Sequence, residues 1–258
     1  MLLTGASGGI GNAIARALHS RGAELVLSGR RADALERLAG ELGDRARVVP
    51  SDLSHRASTD ALLQAAGELD VLVANAALPA SGWLDSFSPE EIDRALDVNL
   101  RAPIQLTRVL APKLVERGSG HLVFISSMSG KIANGGGSIY SATKFGMRGF
   151  AAALRDELRG TGVGVTAIFP GFISDAGMFA DTGIKLPPYV RMRSPEQVAN
   201  AVVRGIERDR GEIDVAPLTL RVSGWLAGIS PTIVAASARH FGSVEMAEQL
   251  GTRQRDKR

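Results

Sequence analysis

The stretch TGASGGIG, residues 4–11, lies between a short apolar run and a sequence with helical periodicity. The apolar run is MLLT, residues 1–4, and the following IGNAIARALHSRG has apolar residues at the 3.6-residue spacing of a helix. Gly5, Gly9 and Gly11 follow the spacing GxxxGxG. Glycine adopts positive φ values and lets other groups approach the backbone closely. The stretch therefore predicts a tight strand-to-helix turn, which either binds an anion or only reverses the chain.

Short apolar runs alternate with helical patterns along the rest of the chain. Segments with 3.6-residue periodicity separate these runs, and the strands are apolar on both faces, as a sheet covered by helices on both sides requires. Serines followed by Pro-Glu, at Ser88 and Ser194, predict helix N-caps with proline at the first helical position. The pattern predicts an α/β fold, a doubly wound parallel seven-stranded sheet in a single domain. The predicted strands are 1–4, 24–28, 46–50, 70–75, 121–126, 164–170 and 212–217.

Composition excludes several classes of site. The 258 residues include no cysteine, which rules out disulfides, thiolate nucleophiles and thiolate metal sites. The four histidines are scattered, so we expect no metal site. A net charge of +3 and 5% aromatic residues do not form the dense basic and aromatic surface of a nucleic-acid-binding protein. Residues 1–11 read as structural rather than as a leader, so we expect a cytoplasmic protein.

The C-terminal part of the chain differs in composition from the rest. We assign residues 1–217 to the nucleotide-binding catalytic core and residues 218–258 to a helical extension with a basic tail. The uncharged run 222–238 predicts two short apolar helices that meet at Pro231. It suits a membrane span poorly, and we expect the extension to cover a substrate pocket. Peripheral contact with a bilayer through residues 218–241 is the alternative.

The position of the glycine turn, between the first strand and a helix, favours anion binding over a simple chain reversal. There the free N–H groups and positive dipole end of the helix would bind a pyrophosphate. Two later segments also suit an adenosine dinucleotide. Asp52 and Leu53 follow the third strand, where a carboxylate could accept from the adenine amino group, and Asn75 and Ala76 end the fourth strand beside the ribose. Either segment taken alone could be an ordinary turn.

The end of the second strand bears on the choice of nicotinamide cofactor. NAD sites usually carry an acid there, which binds the ribose 2′-hydroxyl. Here the sequence is LSGRRAD, with Arg30 and Arg31 and no acid until Asp33. Because a guanidinium binds a 2′-phosphate in a bidentate fashion, we expect NADP(H), with NAD(H) as the alternative. The alternative is that the two arginines are a solvated helix start and that NAD binds without an acid at this position.

A second group of candidate functional residues lies in ISSMSGKIANGGGSIYSATK, residues 125–144. Tyr140 and Lys144 are four residues apart in a predicted helix and so share a face. The ammonium of Lys144, together with the positive ring of an oxidised nicotinamide, should lower the pKa of Tyr140 from about 10 towards about 7. The tyrosine could then act as a general acid or base while Ser127 hydrogen-bonds the substrate oxygen. A Tyr-x-x-x-Lys pair with no catalytic role, on an exposed helix face, would have the same sequence pattern.

Taken together, TGASGGIG, NAA, VNL, ISS and YSATK, in this order and at these separations, resemble the shorter single-domain branch of the short-chain dehydrogenase/reductase family. The resemblance covers about residues 1–217. It implies a Rossmann-type sheet and a catalytic tetrad of Asn99, Ser127, Tyr140 and Lys144. Ser127 is preferred to Ser126 because it precedes the tyrosine by the family's common thirteen residues, and Asn99 would kink its helix and hold a water that relays protons to Lys144.

The resemblance also implies a set of cofactor contacts. Pro170, Gly171 and Ile173 would lie beside the nicotinamide amide. Asp175 stands in the segment where many relatives carry a threonine, and a carboxylate cannot donate a hydrogen bond to a phosphate. The complete expected set is Gly5, Ser7, Gly9, Ile10, Gly11, Arg30, Asp52, Leu53, Asn75, Ala76, Tyr140, Lys144, Pro170, Gly171 and Ile173.

The leading hypothesis is an NAD(P)-dependent oxidoreductase that interconverts a secondary alcohol and a ketone. A non-catalytic nucleotide-binding regulator or scaffold on the same fold is the alternative, and an epimerase or dehydratase using transient oxidation is a third. Helix 138–160 carries small residues suited to close packing, and the family implies a homodimer or homotetramer. We expect an apolar substrate whose pocket is lined by Trp83, Met178, Phe179, Leu186 and Trp225.

Overall fold

Seven strands form one parallel sheet in the order β3-β2-β1-β4-β5-β6-β7. The computed structural model describes residues 1–175, 178–179, 182–184, 191–240 and 243–255. Each strand overlaps one predicted run, which confirms the predicted fold class. The strands are β1 (Leu2–Thr4), β2 (Leu25–Ser28), β3 (Ala46–Val48), β4 (Val71–Ala74), β5 (Gly120–Ile125), β6 (Val163–Pro170) and β7 (Glu212–Val215).

Helices flank the sheet on both faces. Ser88 and Ser194 each form a complete capping box with proline in the first turn, as their sequence pattern predicted. A π-helical segment, Asp97–Arg101, joins two of the helices. The helices are α1 (Gly9–Ser20), α2 (Ala32–Leu42), α3 (Arg56–Ala66), α4 (Pro89–Leu96), α5 (Ala102–Arg117), α6 (Ser138–Glu157), α7 (Pro195–Arg208), α8 (Leu218–Ile229), α9 (Pro231–His240) and α10 (Ser243–Arg253).

Alternate strand residues supply two separate hydrophobic cores. Leu2, Leu72 and Phe124 point to the face covered by α5 and α6. Leu3 and Val123, their neighbours in sequence, point to the face covered by α1, α2 and α7. Because successive side chains of a strand alternate between faces, a strand buried on both sides must be apolar throughout.

The topology creates a crevice at the carboxyl end of β1. The chain runs outward from β1 to β2 and β3, then returns to place β4 on the other side of β1. Such a switch point leaves a gap between the loops after the two strands, and ligands of open α/β sheets bind there. The glycine turn follows β1 and the segment containing Asn75 follows β4, so both predicted cofactor segments flank this crevice.

The C-terminal extension packs against loops at the same edge of the sheet. Helices α8 and α9 meet at Pro231, as predicted. At the end of the extension, Gln254 Nε2 donates to the carbonyl of Met178 at 2.9 Å, and Arg253 Nη1 donates to the carbonyl of Thr182 at 2.6 Å. None of the helices in the described ranges has the length and hydropathy needed to cross a membrane.

Candidate active site

The glycine turn is too tightly packed to accept side chains. Gly5 has φ of +66°, and a Cβ atom there would lie 2.8 Å from the backbone of Ala76. A Cβ atom on Gly11 would lie 2.2 Å from the carbonyl oxygen of Gly5. The turn therefore needs glycine at both positions, for backbone conformation at the first and for close approach at the second.

In front of this turn lies a cleft of about 390 Å³ that suits a pyrophosphate. Helix α1 begins at Gly9 and has no side-chain cap at Gly8, so its first N–H groups have no side-chain acceptor at the cap position. Backbone donors at the positive end of a helix, with no side chain in the way, are what an anionic phosphate requires. The cleft is lined by Ser7, Gly8, Gly9, Asn12, Ala13, Arg16, Asp175, Pro195 and Glu196.

Thr4 and Asn75 hold the turn against the loop that follows β4. The buried Thr4 hydroxyl accepts hydrogen bonds from the backbone N–H groups of Asn75 and Ala76, both at 3.1 Å. The Asn75 side chain donates to the carbonyls of Thr4 and Gly5, also at 3.1 Å. Sequence reasoning missed the role of Thr4, although its position as the last residue of β1, inside the TGASGGIG stretch, was an available signal.

The two arginines after β2 occupy different positions. Arg31 donates to the carbonyl of Ser7 and so lies against the glycine turn. Arg30 is exposed and lies near enough to Asp52 to help lower the pKa of that carboxyl. Burial opposes this decrease, and hydrogen bonds donated by the Ser54 backbone and hydroxyl add to it. Cationic groups are thus present at the end of β2. The Asp52 carboxylate, which was predicted to accept from the adenine amino group, accepts hydrogen bonds from Ser54 in this structure.

Ser127, Tyr140 and Lys144 come together at the carboxyl edge of the sheet. Tyr140 and Lys144 lie in the first two turns of α6, and the Lys144 Nζ is 5.5 Å from the centroid of the Tyr140 ring. The Lys144 Nζ donates to the carbonyl of Ile125 at 3.0 Å. Ser127 follows β5, and its hydroxyl is close enough to the Tyr140 phenol to favour the phenolate and so lower the pKa of Tyr140. The predicted juxtaposition of these three side chains is therefore present.

In the protein alone, the pKa of Tyr140 moves in the direction opposite to the expected decrease, which included the positive charge of an oxidised nicotinamide. Burial raises the pKa of Tyr140 to about 12, although the nearby Ser127 hydroxyl acts in the opposite direction. Burial also lowers the pKa of Lys144 to about 8. The physical reason is that Lys144 is buried and Tyr140 is partly buried, so water solvates a charge on either group poorly, and this cost exceeds the effect of the neighbouring groups.

The structure distinguishes the two serines that follow β5. The Ser126 hydroxyl is buried and donates to the carbonyl of Lys144 at 3.1 Å, so it braces the start of α6. The Ser127 hydroxyl lies beside Tyr140 and also accepts from the backbone N–H of Ser129 at 3.1 Å. Of the two, Ser127 is the serine placed to reach a group next to the phenol.

Asn99 lies in the π-helical segment, so its helix is interrupted there as predicted. Its side-chain oxygen accepts from the backbone N–H of Leu78 at 2.6 Å, and its side-chain nitrogen donates to the Leu78 carbonyl at 2.9 Å. Both bonds are buried, and they tie the π segment to the loop after β4. Because the amide is engaged with Leu78 in both roles, the structure supports a role of Asn99 in positioning this loop, and no hydrogen bond joins the described side chains of Asn99 and Lys144.

The segment after β6 lies beside the crevice. Pro170 ends β6, the Gly171 N–H donates to the carbonyl of Val215 at 3.0 Å, and buried Ile173 forms an isolated parallel bridge with Arg193. Asp175 has φ of +62° and lines the same cleft as the glycine turn. A carboxylate therefore does face the predicted phosphate region.

The residues predicted to line an apolar pocket separate into different environments. Phe179 packs edge-on against Phe172, with ring centroids 4.9 Å apart, and Trp83 lies over Gly135. The prediction for Trp225 is wrong, because its side chain is 69% exposed on the outer face of α8. The small residues of α8 face the protein instead, so the large apolar side chains of this helix face solvent. Leu186 lies outside the described residues.

Comparison with known proteins adds an independent assignment. The family model for short chain dehydrogenase matches residues 1–185. The ketoacyl reductase HetN of Nostoc sp. is 37% identical over 261 aligned residues, which cover 96% of this chain and 91% of that protein.

Solved structures with bound cofactors are similar in fold. A short-chain dehydrogenase from Sphingobium yanoikuyae in complex with NADPH is 28% identical, with a TM-score of 0.78 over 90% of this chain and 94% of the other. The 3-ketoacyl-(acyl-carrier-protein) reductase from Brucella melitensis, complexed with NADH, is 28% identical, with a TM-score of 0.74 over 83% and 95%. With the parallel sheet, the glycine turn and the Ser–Tyr–Lys group already described, these matches show that the chain belongs to the short-chain dehydrogenase/reductase family of oxidoreductases, with an NAD(P)-binding fold.

Proposed function

We propose that this protein interconverts a secondary alcohol and a ketone, with NADP(H) as the preferred cofactor and an apolar substrate. The observation that carries the proposal is the arrangement of Tyr140, Ser127 and Lys144 at the carboxyl edge of the sheet. A phenol beside a serine hydroxyl, with an ammonium 5.5 Å from its ring centroid, can exchange a proton with a substrate oxygen.

In the direction of ketone reduction, Tyr140 is the proton donor. When bound, the nicotinamide supplies the hydride to the carbonyl carbon, or accepts it in alcohol oxidation. The Tyr140 phenol gives its proton to the carbonyl oxygen as the new C–H bond forms, and Ser127 hydrogen-bonds the same oxygen. A pKa of about 12 keeps the phenol protonated at neutral pH, which is the state that reduction needs.

Lys144 assists by stabilising the phenolate that remains after this proton transfer. Its ammonium is held by the carbonyl of Ile125, which restricts it to the side of α6 that carries Tyr140. With a pKa of about 8 the lysine is mostly charged at neutral pH, and loses its charge as the pH rises. We also assign Tyr140 and Lys144 as cofactor contacts, and Asn99 as the residue that positions the loop after β4.

Preference for NADP(H) is supported by the charge at the end of β2. Arg30 and Arg31 lie there, and no acidic residue stands between the end of β2 at Ser28 and Asp33. Related proteins have been solved with NADPH and with NADH, so the cofactor must be measured for this chain. Titration of both reduced cofactors, monitored by nicotinamide fluorescence, should give a lower Kd for NADPH. Arg30→Glu should remove most of the difference, and an NADH preference in the unmodified protein would contradict the assignment.

An apolar substrate is supported by the Phe172–Phe179 pair beside the segment that follows β6. A panel of ketones, from polyol-derived sugars to long-chain and aromatic ketones, should show kcat/KM rising with apolar surface. Faster turnover of polyol substrates than of apolar ketones would overturn this part of the proposal.

The central test is Tyr140→Phe, which removes the proton donor and keeps the ring. We expect kcat for ketone reduction to fall about 10²–10⁴-fold, the usual contribution of general acid catalysis. Ser127→Ala should lower kcat, whereas Ser126→Ala, the adjacent-serine control, should lower it far less. A protein that binds NADPH but turns over no ketone, before or after substitution, would favour the alternative of a nucleotide-binding regulator or scaffold.

A further inference from the structure

Helix α8 packs on the protein through its small residues. Gly224 is buried, and a Cβ atom there would lie 3.0 Å from the Cε of Met128 and 3.5 Å from the Cβ of Lys131. Ala227 and Leu220 pack against the core on the same side. The helix therefore approaches the loop after β5, which contains Ser127, closely enough that a larger residue than glycine would be resisted.

The large apolar residues of α8 face solvent instead. Four of them follow the spacing i, i+4, i+7 and i+11 along α8 and so lie in one stripe, with Leu226 beside it, and Ile233 of α9 is also exposed. Monomeric soluble proteins seldom leave a contiguous apolar surface of this kind exposed without a use for it. We call this surface the α8 apolar face; it consists of Leu218 (69% exposed), Val222 (46%), Trp225 (69%), Leu226 (44%), Ile229 (67%) and Ile233 (70%).

The α8–α9 segment that carries this face contains basic residues but no acidic ones, and the carboxylate of Asp214 just before it is paired with Lys131 at 2.6 Å and lies 4.0 Å from Arg221. Between Asp214 and Glu245 the sequence contains no acidic residue, and its only Lys or Arg residues are Arg221 and Arg239. Arg221 is exposed on α8 itself. The apolar stripe itself carries no carboxylate, and the half-exposed Arg221 beside it leaves the mostly buried Asp214 as the nearest acid, so the stripe complements a surface that is apolar inside and anionic outside. Anionic phospholipid headgroups over acyl chains have that character, and they attract nearby basic residues.

We propose that the α8 apolar face docks the protein peripherally on an anionic lipid surface. The 12-residue helix, about 18 Å long, would lie parallel to the membrane plane with Trp225 at the level of the headgroups. Because Gly224 contacts the loop after β5, docking places the candidate active site next to the lipid surface. The inference stands on exposure and charge and does not depend on the reaction proposed above.

Vesicle flotation tests the docking directly. Vesicles of phosphatidylcholine with phosphatidylglycerol should carry the protein upward in a density gradient, and vesicles of phosphatidylcholine alone should carry less. Trp225→Gln/Ile229→Gln should reduce the partition coefficient at least tenfold. Leu84→Gln/Val115→Gln, which changes two exposed apolar residues elsewhere, should leave it unchanged. Arg221→Gln should weaken binding to the anionic vesicles only.

Fluorescence gives a readout that does not depend on how the double variant folds. The chain has two tryptophans, so Trp83→Phe leaves Trp225 as the single reporter. Its emission should shift to shorter wavelength when anionic vesicles are added. No shift and no flotation would overturn the proposal. So would light scattering that shows a dimer dissociated by Trp225→Gln/Ile229→Gln in the absence of lipid binding, because the face would then join two copies of the chain.

Discussion

His121 makes the stability of this protein sensitive to acid. It lies at the start of β5, away from the candidate active site, and is 5% exposed. Its Nε2 is 2.8 Å from the hydroxyl oxygen of Thr166, whose own proton is donated to the carbonyl of Arg210. The histidine must therefore donate from Nε2, and it is held in the neutral form. Burial lowers the pKa of His121 from 6.5 to about 4; nearby Asp209 opposes this decrease and Arg155 adds to it.

The sign and size of the effect follow from the two pKa values. As the pH falls below 6.5 the unfolded chain takes up a proton at His121, while the folded protein resists until about 4. Stability is therefore lost across this range, by about 3 kcal/mol in all and about 2 kcal/mol between pH 7 and pH 5. Asp209 and Glu212 have lowered pKa values, so their contributions are lost only below their ordinary values of 3.8 and 4.5.

Urea unfolding at pH 7 and pH 5 measures this difference. The unmodified protein should lose about 2 kcal/mol of unfolding free energy over that interval. His121→Asn should be less stable at pH 7 but should lose little further stability at pH 5. His55→Asn, an exposed control, should behave like the unmodified protein. A pH dependence that persists in His121→Asn would refute the assignment of this effect to His121.

Three further predictions concern the cofactor crevice. Asp175→Asn removes a carboxylate from the cleft in front of the glycine turn and should lower the Kd for NADPH roughly three- to tenfold in dilute buffer, and less at high salt, as calorimetry can measure. Asn99→Ala leaves the buried N–H and carbonyl of Leu78 without their partners and should lower the unfolding free energy by about 2 kcal/mol or more, with a loss of kcat; unchanged stability would contradict the role given to those two bonds. Gly11→Ala should raise the Kd for NADPH about tenfold or more, because the added Cβ atom would lie 2.2 Å from the carbonyl oxygen of Gly5 and force the turn open; equal affinity would show that the turn does not hold the cofactor.

The strands, helix starts and glycine turn could be predicted from the sequence because their causes are local. A strand buried on both faces must be apolar throughout, which made the five inner strands visible, whereas the partly exposed edge strands β3 and β7 were recognised from shorter apolar runs. The capping boxes at Ser88 and Ser194 involve residues only three apart, and the positive φ of Gly5 reflects the lack of a side chain on that residue. Tyr140 and Lys144 share a face because one helical turn separates them.

What only the tertiary structure decided depends on contacts between residues far apart in the chain. The pKa of Tyr140 rises because packing removes water from the phenol, and no spacing of charges in the sequence reports that loss. Asn99 reaches Leu78, 21 residues earlier, only because the sheet brings their loops together. Trp225 faces outward because the fold offers α8 a surface so close that Gly224 has to face it. Periodicity determines which residues share a face, but the neighbours in space determine which face is buried.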